Sequence, residues 1–288
     1  MKYSCLHTHT TFCDGGDEIE TFCETACQKG FVSIGFSAHA PVSRKTGFQS
    51  DWHLREDRIE AYCDAVRAAR RRWEGRLRIF LGLEVDYIRG LISPADPDYK
   101  NLGLDYIIGS VHYVIPPKYS PFTVDSSAEE FERGLKEGFS GNADALVNAY
   151  WDAVEAMIRD SGFDILGHAD LIKKNNPQNR WFSLEGESYL RRTAGVAELI
   201  GTSPLVVEVN TGGLTRYKIP DTYPGLCMLS QLQAKNVPVI ITADAHKAGH
   251  LGGYYDKARE ILLEAGYAKA VLFEGRSHGN PLWTEDPL

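Results

Sequence analysis

The chain has 288 residues, of which 43% are hydrophobic and 24% are charged, and its formal net charge is −8. This length allows a large apolar core without disulfide bonds, and it fits either two ordinary domains or one α/β barrel. The acidic balance argues against a protein that binds nucleic acid or an anionic membrane through its net charge, although one locally positive pocket remains compatible with it.

Seven short apolar segments are predicted to be β-strands. They are rich in Val, Ile, Leu or Phe and lack the polar alternation of a half-exposed antiparallel strand. In chain order they are Ser4–Leu6, Phe31–Phe36, Leu77–Val85, Ile107–Val111, Ile165–Gly167, Leu205–Asn210 and Val237–Ala243. The apolar run Ala270–Phe273 is a candidate for an eighth strand.

Segments with helical periodicity lie between these strands. Helices are predicted over Asp17–Lys29, over Arg55–Trp73, from Ser127 onwards and around Leu146–Ile158. Ser127 and Glu130 have the spacing of a capping box at a helix start. Alternating strands and helices predict parallel strands with right-handed crossovers, here in a single α/β domain over residues 1–288.

The cysteines and the N-terminus bear on the cellular compartment. The six cysteines show no CxxC pair and no regular spacing, which is typical of reduced thiols in a cytosolic protein. The N-terminal residues lack a signal-peptide pattern, and the longest apolar stretch, near Val237–Ala243, is too short to cross a bilayer. We therefore expect a soluble, cytoplasmic protein.

Side chains that can bind metals stand at or near the C-terminal ends of the predicted strands. This is the edge at which the active sites of parallel α/β proteins assemble. In chain order they are His7, His9, Asp14, His39, Glu84, His112, His168, Asp244 and His246. This concentration of six of the nine histidines argues against isolated structural roles and predicts a metal site.

Two pairs of these residues have i, i+2 spacing, namely His7 with His9 and Asp244 with His246. Residues i and i+2 of a strand project to the same face, so each pair can direct two ligands into one cavity. The pairs lie on the first and last predicted strands, which only a closed barrel makes neighbours. The pattern therefore favours a distorted TIM-like (β/α)7 barrel of parallel strands, with the active site at their C-terminal ends.

Neighbouring strands of such a barrel would bring the nine residues together as three sets of three. The first set is His7, His9 and Asp244, the second is Glu84, His112 and His168, and the third is Asp14, His39 and His246. Imidazole and carboxylate ligands without thiolate suit Zn, Fe, Mn or Co.

The motifs HTHTTFCDG, SAHAP, GLEVDY, GSVHY, GHAD and TADAH resemble the polymerase-and-histidinol-phosphatase (PHP) superfamily of trinuclear metallophosphoesterases. The resemblance runs from His7 to His246. It implies three divalent transition-metal ions (Zn, Fe or Mn), with Glu84 bridging the first ion and the second. Many relatives carry a histidine where this chain has Asp14.

The segments GFSAHAP and EVNTGGLTR resemble the histidinol-phosphatase branch of this superfamily. This resemblance implies hydrolysis of L-histidinol phosphate to L-histidinol and phosphate, by a metal-bridging hydroxide that attacks phosphorus. Glu84, Asp244 and His246 are the expected catalytic residues. The expected partner is a small-molecule phosphate monoester, with no nucleic acid and no membrane, and the expected assembly is a monomer or a homodimer.

Two arginines are predicted to bind the phosphate group of the substrate. Arg180 and Arg216 follow the fifth and sixth predicted strands, and a planar guanidinium matches phosphate in a bidentate way. Glycines 212 and 213 would let the loop of Arg216 approach a ligand closely. His53, in the segment SDWHLRED, is a candidate for contact with the substrate, but a position at the surface is favoured.

Other interpretations share some of these features. A phosphatase of the same superfamily that acts on phosphotyrosine or a nucleotide monoester would keep every metal ligand. A polymerase-associated module is disfavoured because the chain has no polymerase segment or basic track, and a binuclear amidohydrolase usually has a carboxylated lysine where Glu84 stands. A non-catalytic structural zinc site would be closed and rich in cysteine.

Overall fold

The computed structural model describes residues 1–42, 47, 50–117, 120–217 and 219–288. The strands are β1 (Tyr3–Cys5), β2 (Phe31–His39), β3 (Arg78–Asp86), β4 (Tyr106–Ser110), β5 (Tyr113–Val114), β6 (Phe122–Thr123), β7 (Ile165–Leu166), β8 (Val206–Asn210), β9 (Val239–Thr242), β10 (Lys269–Ser277) and β11 (Asn280–Pro287). The α-helices are α1 (Ile19–Gln28), α2 (Ile59–Arg72), α3 (Ala128–Arg133), α4 (Ala143–Asp160), α5 (Glu187–Gly201), α6 (Leu226–Gln233) and α7 (Tyr255–Glu264).

Seven parallel strands form one sheet in the order β1-β2-β3-β4-β7-β8-β9. The first and last strands of this sheet meet just beyond their C-terminal ends, where Thr8 forms a parallel bridge with Ala245. The His9 amide donates a hydrogen bond to the Ala245 carbonyl (2.9 Å), and the Ala245 amide donates one to the His7 carbonyl (3.0 Å). The predicted distorted seven-stranded barrel is therefore confirmed, and its strands are the seven predicted ones with ends shifted by a few residues.

The helices cover the outside of the barrel with their apolar faces, and the four predicted ones correspond to α1, α2, α3 and α4. In α2, Tyr62 is buried against the sheet, and its hydroxyl donates a hydrogen bond to the Gly82 carbonyl (2.9 Å). At the start of α3, the Ser127 hydroxyl accepts a hydrogen bond from the Glu130 amide (3.1 Å), as the capping spacing predicts. None of the described helices has both the length and the apolar character needed to span a membrane.

The interior of the barrel is filled by a compact apolar cluster. Its members are Leu6, Phe80, Tyr106, Ile108, Ile165, Val206, Ile240 and Phe273. Tyr106 reaches across the barrel, and its hydroxyl donates a hydrogen bond to the Leu6 carbonyl. Gly35 and Gly82 leave room for this ring, because a Cβ atom on either glycine would lie 2.4 Å from an atom of the Tyr106 side chain.

A C-terminal hairpin of β10 and β11 closes the end of the barrel at which the parallel strands begin. The ring of Phe273 contacts Phe80 and Tyr106 with centroid distances of 4.8 and 5.8 Å, and Trp283 packs on Phe273 at 5.0 Å. The run Ala270–Phe273 is thus a strand, but it pairs with β11 in a separate two-stranded sheet and adds no eighth strand to the barrel.

Candidate metal centre

The structure brings all nine predicted ligands together at the C-terminal end of the barrel. His7 and His9 follow β1, Asp14 lies between β1 and α1, His39 ends β2, Glu84 lies in β3, His112 follows β4, His168 follows β7, and Asp244 and His246 follow β9. Seven of the nine residues are buried, whereas Asp14 is exposed and His246 is partly exposed. Apart from these last two residues, the cluster is therefore shielded from bulk solvent.

The two i, i+2 pairs face one cavity, as their spacing predicts. The bridge between Thr8 and Ala245 joins the middle residues of both pairs, so the flanking side chains of the two strands point the same way. As a result, Asp244 Oδ1 lies 3.8 Å from His7 Nε2 and 3.4 Å from His9 Nε2.

Glu84 lies at the centre of the ligands. Its Oε2 atom is 3.2 Å from His7 Nε2 and 2.9 Å from His39 Nδ1. Its Oε1 atom is 2.8 Å from His168 Nε2 and 3.6 Å from His112 Nε2. A carboxylate whose two oxygens face different imidazoles has the arrangement needed to bridge two ions.

Asp14 reaches the open side of the cluster from a tight loop. Its Oδ2 atom is 3.0 Å from His246 Nε2, and its Oδ1 atom is 3.7 Å from His39 Nε2. The loop folds back on the barrel at Gly15, where a Cβ atom would lie only 2.2 Å from the His9 carbonyl oxygen. The absence of a side chain at this glycine therefore allows Asp14 to approach the histidines.

The donor atoms fit a multinuclear metal centre. Four groups each place their ligand atoms within 4.8 Å of one another: His7, His9 and Asp244; His9, Asp14, His39 and His246; His7, Glu84 and His168; and His39, Glu84 and His112. The first and third predicted sets are thus brought together. The members of the second set are divided between two groups, because His168 joins Glu84 together with His7, and His112 joins Glu84 together with His39. Within the described parts of the chain, the buried atoms His7 Nε2, His9 Nε2 and Glu84 Oε2 have no hydrogen-bond partner, which leaves them available to a metal ion.

The electrostatics of the cluster keep its carboxylates ionised, whereas the pKa values of its histidines shift in both directions: that of His9 is lowered, and nearby carboxylates raise those of His7, His39 and His112 despite burial. Burial raises the pKa of Glu84, but the surrounding histidines, His7 first among them, hold this pKa well below its usual value. Burial also raises the pKa of Asp244, but the nearby Arg216 guanidinium and His7 outweigh this effect and hold the pKa well below its usual value. Burial and two neighbouring imidazoles lower the pKa of His9 to about 3, so this ring is neutral. Ionised carboxylates and neutral imidazoles are the forms that bind a divalent ion.

Glu208 in β8 is a buried residue of the site that the sequence analysis missed. Its Oε1 atom lies 2.6 Å from His7 Nδ1, and its Oε2 atom accepts a hydrogen bond from the His168 amide at 2.7 Å. The Thr242 hydroxyl donates to Glu208 Oε1 at 2.5 Å. These contacts orient the His7 ring with Nε2 toward the cluster. The available signal was a lone carboxylate inside the apolar segment LVVEVN, because a buried charge requires partners.

Asp86 in β3 holds His112 in the same way. Its Oδ1 atom is 2.7 Å from His112 Nδ1, and its Oδ2 atom is 2.7 Å from His53 Nε2. The expectation that His53 lies at the surface is wrong, because its ring is buried between Asp86 and the Trp52 ring, at a centroid distance of 3.7 Å from the latter. Asp86 stands two residues after Glu84, the same spacing that singled out the other ligand pairs.

A cavity of about 200 Å³ lies over the ligand cluster. Besides metal ligands, its walls contain Trp52, Thr123, Asp125, Ser126, Leu171, Lys174, Arg216, Tyr217 and Tyr223. The Arg216 guanidinium donates to Asp244 Oδ2 at 2.8 Å, and its Nη1 atom lies 2.9 Å from His246 Nδ1. Arg216 is therefore where a phosphate-binding residue is expected.

Arg180 is not among the described residues that line this cavity. Its side chain is 55% exposed, with its Nη2 atom 3.3 Å from Glu132 Oε2 and its guanidinium stacked on Trp181 at 4.3 Å. Two short helical turns, over residues 171–175 and 177–179, separate Arg180 from the end of β7. The prediction that both arginines bind the phosphate group is therefore corrected, because only Arg216 lines the cavity. Lys174, in the turn over residues 171–175, lines the cavity where Arg180 does not.

The fold and the site define the chain as a parallel (β/α)7 barrel with a cluster of His, Asp and Glu side chains that could hold metal ions. Residues 6–212 match the PHP domain, and the chain belongs to that family. Asp244 and His246 lie beyond the matched segment, but the structure brings them to the same cluster.

Two relatives resemble the chain over most of its length. It is 27% identical over 270 residues to the histidinol-phosphatase of Bacillus subtilis, which covers 87% of this chain and 96% of the relative. It is 25% identical over 271 residues to the probable histidinol-phosphatase of Deinococcus radiodurans, with 94% of this chain and 96% of the relative covered.

Two crystal structures share the fold. One is a protein of Listeria monocytogenes provisionally named a histidinol phosphatase, with a TM-score of 0.80, 21% identity, and 88% of this chain and 99% of that chain covered. The other is the histidinol phosphate phosphatase of Lactococcus lactis in complex with zinc, L-histidinol and phosphate. It has a TM-score of 0.62 and 16% identity, with 94% of this chain and 96% of that chain covered.

Proposed function

We propose that the chain is a metal-dependent phosphatase that hydrolyses L-histidinol phosphate to L-histidinol and phosphate. The observation that carries this proposal is the cluster of nine ligands around Glu84, beneath a cavity that also contains the Arg216 guanidinium. The relatives named histidinol-phosphatases align with most of the chain, which supports this substrate over other phosphate monoesters.

The proposed centre holds three divalent ions, of zinc, iron or manganese, with Glu84 shared between two of them. The first ion would be held by His7, His9, Glu84 and Asp244, the second by Glu84, His112 and His168, and the third by Asp14, His39 and His246. Bound divalent ions supply a hydroxide nucleophile at neutral pH and stabilise charge on the phosphoryl oxygens. The zinc in the Lactococcus lactis structure supports this class of metal.

The side chains around the cavity have complementary proposed roles. Glu84, Asp244 and His246 are the proposed catalytic residues, because they line the space in which the phosphorus atom would lie. Arg216 is the proposed phosphate-binding residue, since its guanidinium can donate two hydrogen bonds to non-bridging oxygens. Arg216 also remains charged, because burial lowers its pKa but Asp244 raises it above its usual value.

The proposal also includes the domain organisation, the assembly, the type of ligand and the cellular compartment of the enzyme. Residues 1–288 would act as one domain, as a monomer or a homodimer, on a small molecule rather than on nucleic acid or a membrane. The cavity of about 200 Å³ and the net charge of −8 support a small ligand. All six cysteines are free thiols, which suits the reducing cytoplasm.

The test is phosphate release by the metal-reconstituted enzyme from L-histidinol phosphate, tyrosine phosphate and a nucleotide monophosphate. We expect the highest kcat/KM with L-histidinol phosphate, and no turnover by the same protein after chelation of its metals. A clear preference for one of the other monoesters would replace the proposed substrate. Equal turnover by the chelated protein would contradict the proposed chemistry.

A further inference from the structure

One carboxylate of the cavity has no part in the proposed metal centre. Four acidic residues line the described walls, and three of them, Asp14, Glu84 and Asp244, belong to the ligand groups. The fourth, Asp125, lies between β6 and α3, and its side chain is 26% exposed. Asp125 thus offers a negative charge to whatever occupies the cavity.

The carboxylate of Asp125 also keeps its capacity to accept hydrogen bonds. Within the described residues it accepts none, and its ion pair is with Lys174, whose Nζ atom lies 3.8 Å from Oδ2. The Lys174 ammonium donates instead to the backbone carbonyl of Asp125, and it lies 3.9 Å from the centroid of the Tyr217 ring. Beside its ion pair with Lys174, the carboxylate can therefore accept a hydrogen bond from a cationic group of a ligand.

A negative side chain is unfavourable in a cavity that binds phosphate unless the ligand itself carries a positive charge. Phosphate monoesters of neutral or acidic alcohols would only be repelled by Asp125. A monoester with an ammonium group close to the ester would gain an ion pair at the same position. A charge placed in this way selects among phosphate esters, because it favours one class and opposes the other.

We infer that Asp125 is a specificity-determining residue that binds the ammonium group of amino-alcohol phosphates. The inference rests on the proposed function, since L-histidinol phosphate carries its ammonium on the carbon next to the ester methylene. It goes further than that function, because it makes the amine, and not the imidazole, the group that Asp125 recognises. Other amino-alcohol phosphates then belong to the same substrate class.

The experiment compares Asp125→Asn with the wild-type enzyme on three esters. These are L-histidinol phosphate, the same ester without its amino group (3-(imidazol-4-yl)propyl phosphate), and L-phenylalaninol phosphate, which keeps the amine but lacks the imidazole. We expect the substitution to lower kcat/KM about 10- to 100-fold for both amines, the range for losing a hydrogen bond to a charged group. The ester without the amine should be hydrolysed as well as before, or better.

Binding provides a second readout that does not depend on turnover. Calorimetry of the metal-loaded protein should show weaker binding of L-histidinol to Asp125→Asn, with binding of inorganic phosphate unchanged or tighter. Glu132→Gln is the matched control, because it removes one negative charge from an exposed side chain outside the cavity. It should behave as wild type with all three esters.

Several outcomes would overturn the inference. One is an equal loss of kcat/KM with the amine-free ester, which would mean that Asp125 supports the site in general. Another is recovery of wild-type kcat/KM for the amines when Lys174→Met is added to Asp125→Asn, which would mean that Asp125 only neutralises Lys174. If Asp125→Asn does not fold, the wild-type enzyme must still prefer L-histidinol phosphate over the same ester without its amino group, and equal kcat/KM for these two esters would overturn the inference. An enzyme that prefers L-phenylalaninol phosphate would refute the proposed function but uphold the role of Asp125.

Discussion

The two ends of the barrel are built from opposite kinds of residue. At the C-terminal end, histidines and carboxylates face one another around Glu84, with several buried nitrogen and oxygen atoms that have no hydrogen-bond partner among the described residues. At the other end, Phe273 and Trp283 of the hairpin pack against Phe80 and Tyr106 and close the interior. The C-terminal end thus contains polar groups that are unfavourable to bury, whereas the other end is held by contacts between apolar side chains.

The two ends of the barrel therefore have different roles: the C-terminal end is proposed to bind metal and substrate, and the N-terminal end stabilises the fold. Two of the proposed ligands, His168 and Asp244, have positive φ angles of 22° and 47°, which are unfavourable for residues with a Cβ atom. Such backbone geometry persists only where the surrounding structure supports it. Substitutions at the C-terminal end should therefore change activity and metal content, and those at the N-terminal end should change stability alone.

The largest effect on activity is expected from Glu84→Gln. This change keeps the shape of the side chain but removes the negative charge that two ions are proposed to share. We expect kcat/KM to fall by about 10³-fold or more, and elemental analysis to show fewer ions per chain. Glu132→Gln is the control for an equal change of charge at the surface. A Glu84→Gln protein with full metal content and near-normal turnover would exclude a bridging role.

Arg216→Ala is expected to cause the second-largest loss of activity and to leave the metal content unchanged. Losing a charge-assisted contact to phosphate should raise the barrier by about 2–4 kcal/mol, or roughly 30- to 1,000-fold in kcat/KM, and Arg216→Lys should restore only part of it. The matched comparison is Arg180→Ala, which removes an exposed guanidinium that does not line the cavity and should leave kcat/KM at the wild-type value. The reverse ranking of the two arginines would contradict the proposed phosphate site.

Glu208→Gln should have an intermediate effect that acts through His7. The loss of the carboxylate beside His7 Nδ1 should weaken metal affinity by about 10- to 100-fold, measured by competition with a chelator. Asp86→Asn should act similarly through His112. Activity of both variants should recover when metal is added in excess. Wild-type affinity in both would show that these carboxylates do not orient the ligands.

The smallest effect on activity is expected from Phe273→Ala at the opposite end of the barrel. Removing this buried ring should lower the free energy of unfolding by about 3–5 kcal/mol, measured by denaturant titration of the metal-loaded protein. The kcat/KM and the metal content of the folded variant should equal those of wild type. If Phe273→Ala lost metal as well as stability, the two ends of the barrel would be coupled, and the proposed division of roles between them would be wrong.

Local sequence patterns were sufficient to predict the barrel strands and the side chains that cluster at their C-terminal ends. Each strand was recognisable as a short apolar run, and the i, i+2 spacing of His7 with His9 predicted that both face one cavity. The proposed ligands stand at strand ends, whose position follows from the strand itself. Their prediction therefore needed only the strand order and the closure of the barrel.

The sequence alone determined the alternating elements, favoured a closed barrel over an open sheet, and identified the polar edge at which the proposed ligands meet. Only the tertiary structure decided that Arg216 enters the cavity while Arg180 does not, that the hairpin closes the barrel without joining it, and that Glu208 supports His7. The physical reason is that periodicity records how one segment is buried, whereas these contacts join segments that are distant in the chain. Glu208 and His7, for example, are 201 residues apart. Their contact exists only after every intervening strand has taken its place in the barrel.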